Sequence, residues 1–319
     1  TGGTGFIGSH LTDALIKHPD YKDVKCLVRS REKWLEGKDF IKVEGDLNSI
    51  QSMDKALNDV DVIFHIAAIV KAPTQAEFNH ANVQATENLL RLAIKNNIKK
   101  MVILSSLAAA GPSNGTPLTE EDPMNPMSMY GKSKKRMEEM IHEVAPDDMS
   151  ITILRPPAVY GPREDQIYTL FKMMKYGIAP IVGDGNHPQL SIVYVKDVVQ
   201  AILKSADQTE PGIHTYFIDG EKIANWNMIR DIVTTVLNKK NVPVKLNPSW
   251  VKKIAGAVET TASFFGLYPV INREKANEMI LEWTCTHDKA KRELDYKPEY
   301  SLEEGISRTL RWYKKHGWL

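Results

Sequence analysis

Short runs of apolar residues alternate along the first half of the chain with longer stretches in which apolar residues recur every three or four positions. The short runs predict buried strands and the longer stretches predict amphipathic helices. The predicted strands cover residues 24–28, 40–44, 61–66, 100–104 and 151–154, and the predicted helices cover residues 9–18, 50–57, 82–96 and 130–144. Because strands and helices alternate, we predict an α/β fold with a doubly wound parallel sheet, the Rossmann architecture.

The pattern loosens after Pro156 and Pro157. It still predicts a helix over residues 195–205 and a strand over residues 215–218, whereas the chain from residue 225 onward is mostly helical in pattern. We therefore predict a main domain over residues 1–157, to which residues 192–220 return. Residues 158–191 and 221–319 are predicted to form a smaller, mostly helical substrate-binding region.

Composition and charge exclude several classes of protein. Lys and Arg number 41 against 40 Asp and Glu, so the net charge of +1 provides no excess for nucleic-acid binding. The two cysteines, Cys26 and Cys285, cannot form a disulfide framework or a four-ligand zinc site, and they fit a reducing cytoplasm. The longest apolar stretch, residues 62–70, is too short to span a bilayer. It contains His65, which we expect to be a partly buried, hydrogen-bonded residue rather than a catalyst.

Gly2, Gly5 and Gly8 are spaced as in a glycine turn that receives a pyrophosphate at a helix N-terminus. Such a turn follows a strand, and we therefore expect a strand ahead of Thr1. A glycine-rich turn that binds no ligand is the alternative, because this spacing alone is a weak signal.

The ends of the next predicted strands bear on the choice of cofactor. Arg29 ends the first of them, where an acid would suit the ribose 2′-hydroxyl of NAD and an arginine suits a 2′-phosphate. We therefore predict NADP(H) as the preferred cofactor and NAD(H) as the alternative. The other interpretation is that Arg29 belongs to a basic loop that is only exposed to solvent. Asp46 and Leu47 are placed to hold the adenine end, and the small Ala67 and Ala68 allow close approach to the cofactor.

Tyr130 and Lys134 are four residues apart in a predicted helix, so both lie on one face. An ammonium about 4 Å from the phenol would favour phenolate by up to roughly 4 kcal/mol at an effective dielectric of 20. We expect this charge to bring the pKa of Tyr130 into the range useful for proton transfer. Ser106 lies at a strand end, where it could hold a carbonyl oxygen.

Six motifs, distributed over nearly the whole chain, resemble those of the extended short-chain dehydrogenase/reductase family and occur in the order typical of that family. They are Thr1-Gly2-Gly3-Thr4-Gly5-Phe6-Ile7-Gly8, Gly45-Asp46-Leu47, Asn82-Val83-x-x-Thr86-x-Asn88-Leu89-Leu90, Ser105-Ser106, Tyr130-Gly131-Lys132-Ser133-Lys134 and Arg155-Pro156-x-x-Val159-Tyr160-Gly161-Pro162. The resemblance implies an NAD(P)-dependent enzyme with a Rossmann fold.

The same resemblance implies the roles of single residues. Tyr130 is expected to be the general acid/base, Lys134 to lower its pKa and bind the nicotinamide ribose, and Ser106 to polarise the substrate oxygen. The complete set expected to contact the cofactor is Gly2, Thr4, Gly5, Phe6, Ile7, Gly8, Arg29, Asp46, Leu47, Ala67, Ala68, Tyr130, Lys134, Pro157 and Val159. No metal ligand is expected.

The extended family contains nucleotide-sugar epimerases and dehydratases as well as reductases such as 3β-hydroxysteroid dehydrogenases and dihydroflavonol reductases. Sugar-nucleotide members usually carry an Arg-Asp pair where this chain has Leu190-Ser191. Residues 108–110 are alanines, which form a small apolar wall, and the C-terminal motifs resemble bacterial reductases similar to 3-ketosphinganine reductases. We therefore expect an NADPH-dependent reductase of a bulky hydrophobic ketone, 3-ketosphinganine or a steroid-like compound. The alternatives are a nucleotide-sugar epimerase or dehydratase, and a non-catalytic NADP-binding scaffold.

One predicted helix carries an apolar stripe that is either ordinary packing or a lid over a hydrophobic substrate. Its members are Trp250, Val251, Ile254, Ala255, Val258, Ala262 and Phe265. Lys252 and Lys253 beside the stripe would permit at most peripheral contact with a membrane. By resemblance, the helices over residues 82–96 and 130–144 would form a homodimer interface.

Overall fold

The computed structural model describes residues 1–246 and 273–319. The strands are β1 (Lys25–Val28), β2 (Ile41–Glu44), β3 (Val62–His65), β4 (Lys100–Leu104), β5 (Ser150–Arg155), β6 (Ala158–Tyr160), β7 (Ile178–Val182), β8 (Ile192–Tyr194), β9 (Gly212–Phe217) and β10 (Val242–Leu246). The helices are α1 (Phe6–Leu15), α2 (Ile50–Ala56), α3 (Gln75–Asn79), α4 (Ala85–Lys95), α5 (Leu107–Ala110), α6 (Met129–Val144), α7 (Gln166–Lys175), α8 (Val195–Ala206), α9 (Trp226–Leu237), α10 (Arg273–Met279), α11 (Asp288–Glu293) and α12 (Leu302–Lys315).

The main sheet has the parallel order β3-β4-β5-β9, and β1 pairs with β2, also in parallel. Strand β4 is buried on both faces, because Met101 and Ile103 pack with helices α2, α4 and α6, whereas Val102 and Leu104 pack with α1 and α8. Burial on both faces explains why residues 101–104 are an uninterrupted apolar run. The expectation of a buried strand is wrong for β2, most of which is exposed. The predicted Rossmann architecture is confirmed.

Thr1 lies beside the edge of β3. Its amino group donates to the carbonyl of Phe64 over 2.7 Å, and its carbonyl accepts from the amide of Ile66 over 3.2 Å. The strand expected ahead of Thr1 stays a prediction.

Helix positions agree closely with the predictions in the first half of the chain. The helix predicted over residues 82–96 is preceded by α3 and begins within a π-helical turn, His80–Gln84, that leads into α4. The strand predicted over residues 215–218 is β9, and it pairs with β5 in the main sheet. The boundaries of the two predicted domains stay predictions.

The second half contains short strands that the pattern did not predict. β6 pairs with β8, and β7 pairs with β10, both in parallel. Pro180 and Pro243 interrupt the amide series of β7 and β10, which hides the strand signal in the sequence. A third apolar cluster joins α7, α9 and α12. The apolar stripe predicted to form a lid lies outside the described residues.

In the two described ranges, none of the helices has the length and apolar character required to cross a membrane. The same ranges contain no group of three or more His, Cys, Asp and Glu side chains placed to hold a metal ion.

Candidate active site

The glycine turn closes against the chain that follows β3. Gly2 has φ of +77°, and a Cβ built there would lie 2.6 Å from the amide nitrogen of Ala67. A Cβ on Gly8 would lie 2.1 Å from the carbonyl oxygen of Gly2. Gly5 caps the N-terminus of α1 without a side chain, so no side-chain hydrogen bond occupies the first amides of the helix. Those amides and the small cradle fit the pyrophosphate of a dinucleotide.

The remaining residues expected at the cofactor lie along the same carboxyl edge of the sheet. Val159 of β6, Phe6 and Ile7 pack against the same apolar cluster, which contains Tyr160 and Tyr194. Thr4 lies in the turn that leads into α1, and Ala68 directly follows the chain that closes against this turn.

Arg29 and Asp46 follow the ends of the paired strands β1 and β2. Their side chains approach to 3.9 Å between Nε and Oδ2, and 81% of the Arg29 side chain is exposed. An exposed ion pair of this length holds the arginine only weakly, so the guanidinium is free to turn toward an anion. Leu47 packs into the apolar cluster under β3 and β4.

Helix α6 brings Tyr130 to Ser106 through a close contact between two helices. A Cβ on Gly131 would lie 2.3 Å from the carbonyl oxygen of Ala108 in α5, so glycine permits this approach. Ser128 caps the N-terminus of α6 and accepts the amide of Gly131 over 3.2 Å. The hydroxyl of Ser106 lies near enough to that of Tyr130 to act on the pKa of the phenol.

Burial determines the protonation of Tyr130 and Lys134. It raises the pKa of Tyr130 to about 12, a rise that the nearby hydroxyl of Ser106 opposes and to which the charge of Glu278 adds. Burial lowers the pKa of Lys134 to about 8, partly offset by Glu138. The Nζ of Lys134 donates to the carbonyl of Leu104 over 2.7 Å. The expected lowering of the Tyr130 pKa is therefore wrong for this structure: the phenol is protonated at neutral pH, as a proton donor must be.

Asn82 connects the loop after β3 to α6, a role that the sequence did not predict. Its side-chain amide bonds both backbone groups of Ile69 over 2.9 and 3.0 Å and donates to the Oγ of Ser133 over 3.0 Å. Ser133 in turn donates to the carbonyl of Tyr130 over 2.7 Å. The loop after β3 is thereby tied to α6. The signal in the sequence that could have indicated this role is an asparagine inside an otherwise apolar helical pattern.

A buried ion pair supports α6 one turn beyond Lys134. The guanidinium of Arg155 approaches the Glu138 carboxylate to 2.6 Å, with side chains 7% and 1% exposed. Ser105 also donates to this carboxylate. Glu138 was not predicted, although its position four residues after Lys134 places it on the same helical face.

Helix α10 carries two more carboxylates to the start of α6. Glu274 accepts a hydrogen bond from the amide of Met129, next to Tyr130. Glu278 is near enough for its charge to act on the pKa of Tyr130. These acids are separated from α6 by more than 120 residues of sequence, which is why local patterns could not predict them.

The burial and hydrogen bonding predicted for His65 are confirmed, and Cys285 is buried as well. His65 is 1% exposed and bonds Thr1 over 2.7 Å and Thr86 over 2.9 Å, and burial lowers its pKa far below the ordinary value. Cys285 is buried, its amide bonds the Oγ of Ser191 over 3.1 Å, and burial raises the pKa of its thiol. Both residues are structural groups rather than activated ones.

Comparison with known proteins identifies the family. Residues 1–218 match the model of the NAD dependent epimerase/dehydratase family. The chain belongs to this family. It is thus an extended short-chain dehydrogenase/reductase, a superfamily of NAD-dependent enzymes that includes dehydrogenases and reductases.

Members of this family that resemble the chain differ in activity. A UDP-glucose 4-epimerase of Vibrio cholerae is 27% identical over 97% of this chain and 93% of its own length. A ceramide reductase of Caulobacter vibrioides is 24% identical over 100% of this chain and 95% of its own. The crystal structure of gox2253 superposes with a TM-score of 0.82 at 26% identity, covering 99% and 97% of the two chains. The family match therefore leaves the substrate open.

Proposed function

We propose that the chain reduces a ketone on a bulky hydrophobic substrate to a secondary alcohol, with NADPH as the preferred donor. The observation that carries this proposal is the proximity of the Tyr130 and Ser106 hydroxyls, with the buried Lys134 on the same helix as Tyr130. A carbonyl oxygen placed between two hydroxyl donors would be stabilised as negative charge develops on it.

The residue at position 190 supports an uncharged substrate. Leu190 forms backbone hydrogen bonds of 2.8 Å with Ala224, and its side chain offers no charge to a diphosphate. The similarity to a ceramide reductase supports a lipid ketone such as 3-ketosphinganine.

In this mechanism Gly2, Gly5 and Gly8 would hold the pyrophosphate, and Arg29 would face the ribose 2′-phosphate. The bound nicotinamide would supply the hydride. Ser106 and Tyr130 would orient the substrate oxygen, and the protonated Tyr130 would give its phenolic proton to that oxygen. Lys134, held by the carbonyl of Leu104, would stabilise the resulting phenolate.

The substrate is tested with purified protein by following the absorbance of the reduced nicotinamide. Consumption of NADPH with 3-ketosphinganine, and none with a UDP-4-keto-sugar, is the expected result. The alternative is a nucleotide-sugar epimerase, which the similarity to a UDP-glucose 4-epimerase favours. Conversion of a UDP-sugar to its 4-epimer, which consumes no reduced nicotinamide and is followed by chromatography, without reaction of the lipid would establish that alternative and refute the ketone proposal.

We predict that Arg29→Asp lowers the preference for NADPH over NADH by about 10–100-fold, because charge-assisted hydrogen bonds contribute about 1.5–3 kcal/mol. The ratio of kcat/KM for the two donors measures the effect. Arg311→Asp, an identical charge change on the exposed side of α12, should leave the ratio unchanged. An unaltered ratio in Arg29→Asp would remove this residue from cofactor selection.

A further inference from the structure

One exposed surface distant in sequence from the glycine turn combines apolar and basic side chains. It is built by the end of α7, the strand pair β7 and β10, and the turn after α9; we call it the β7–β10 patch. Its apolar members are Met173, Tyr176, Ile178, Val242 and Val244, which are 39%, 66%, 46%, 68% and 43% exposed. Large side chains exposed together in this way mark a contact surface.

Strand pairing makes the apolar members neighbours. Val242 lies opposite Ile178 in the parallel register, and Val244, two residues on, points to the same face as Val242. The amide of Val242 also donates to the carbonyl of Gly177 over 2.9 Å, next to Tyr176. The patch is therefore continuous from the end of α7 to β10.

The same surface is strongly basic. Its lysines are Lys172, Lys175, Lys239 and Lys240. Residues 166–182 and 232–246 contain no Asp or Glu, although the whole chain is nearly neutral at +1. Lys175 also reaches over the ring of Tyr176, with Nζ 5.8 Å from the ring centroid. The positive charge is thus concentrated where the apolar side chains are exposed.

We propose that the β7–β10 patch docks on an anionic phospholipid surface. Apolar side chains ringed by lysines are the combination that binds at the boundary between headgroups and acyl chains. A second copy of the chain would bring like charges together, and Pro243 and Lys245 in the exposed strand β10 oppose pairing with a foreign strand. A nucleic acid would use the lysines but would leave the aliphatic side chains unused.

The proposal is tested by sedimenting the full chain with vesicles. We expect binding to phosphatidylcholine vesicles that contain phosphatidylglycerol, weakening with added salt, and much weaker binding to phosphatidylcholine alone. The double variant Lys239→Glu/Lys240→Glu should lower the binding constant at least about tenfold. Val242→Asp should also weaken binding, because it removes an apolar contact and adds a repelled charge.

The matched control is Lys314→Glu/Lys315→Glu, which changes an adjacent exposed lysine pair at the end of α12. Thermal unfolding checks that each variant is folded. If Lys239→Glu/Lys240→Glu and Lys314→Glu/Lys315→Glu lose vesicle binding equally, the net charge of the protein causes the binding. The β7–β10 patch is then not a docking site. Equal binding to neutral vesicles, or a dimer that Val242→Asp alone dissociates, would likewise overturn the lipid assignment.

Discussion

Tyr130→Phe is expected to lower kcat for ketone reduction by about 10²–10⁴-fold, because it removes the proposed proton donor. The phenylalanine keeps the ring that lies 6.2 Å from that of Phe78, so packing at the start of α6 should be preserved. The affinity for NADPH should change little, since the glycine turn is untouched. Stopped-flow turnover and fluorescence titration of the donor measure the two quantities separately.

Tyr21→Phe is the matched control. This tyrosine lies ahead of β1 and packs edge-on against Phe64, with ring centroids 5.8 Å apart, so removing its hydroxyl should leave turnover unchanged. A loss of less than about tenfold in Tyr130→Phe would exclude Tyr130 as the acid, since general acid catalysis contributes more than this.

The pH profile provides a second test of the same residue. Because burial raises the pKa of Tyr130 to about 12, its phenol stays protonated well above neutral pH. Lys134, with a pKa lowered to about 8, loses its charge first as the pH rises. A decline of the reduction rate above about pH 8 is therefore expected from Lys134 rather than from Tyr130.

Glu138→Gln is expected to destabilise the fold by about 3–5 kcal/mol, because it leaves the guanidinium of Arg155 buried without its counter-ion. Urea denaturation followed by circular dichroism measures this loss. The variant also removes the negative charge that raises the pKa of Lys134. The pH at which activity declines should consequently move to lower values.

The neighbouring Glu139→Gln is the matched control for stability. Glu139 makes only exposed contacts of 4.0 Å with Lys135 and 3.6 Å with Arg136, and its loss should cost less than about 1 kcal/mol. The double variant Glu138→Leu/Arg155→Met should regain most of the stability, since an apolar pair can replace a buried ion pair. Equal destabilisation by Glu138→Gln and Glu139→Gln would contradict the assigned role of the ion pair.

The limits of the sequence patterns are clear in the second half of the chain. In the first half, apolar runs predicted β4 and β5 because both strands are buried on both faces. β7 and β10 were missed because each contains a proline and has exposed positions. Their pairing joins residues more than 60 positions apart, a relation that no local period expresses.

The candidate site likewise contains residues that the sequence predicted and contacts that only the structure shows. Gly2, Gly8, Tyr130 and Lys134 could be predicted because a turn or a single helical turn sets their relation. The sequence also marked Gly131 within a motif, but only the structure shows the contact with α5 that requires it.

The sequence by itself indicated the family through the resemblance of its motifs. It also determined the Rossmann architecture and the placement of Tyr130 and Lys134 on one helical face, because these depend on local periodicity and spacing. Tertiary structure alone decided the ion pair of Glu138 and Arg155, the carboxylates of α10 beside Tyr130, and the raised pKa of that tyrosine. These properties depend on burial and on contacts between distant segments. A local pattern indicates that a side chain is buried or polar, but it does not indicate which distant group the side chain meets.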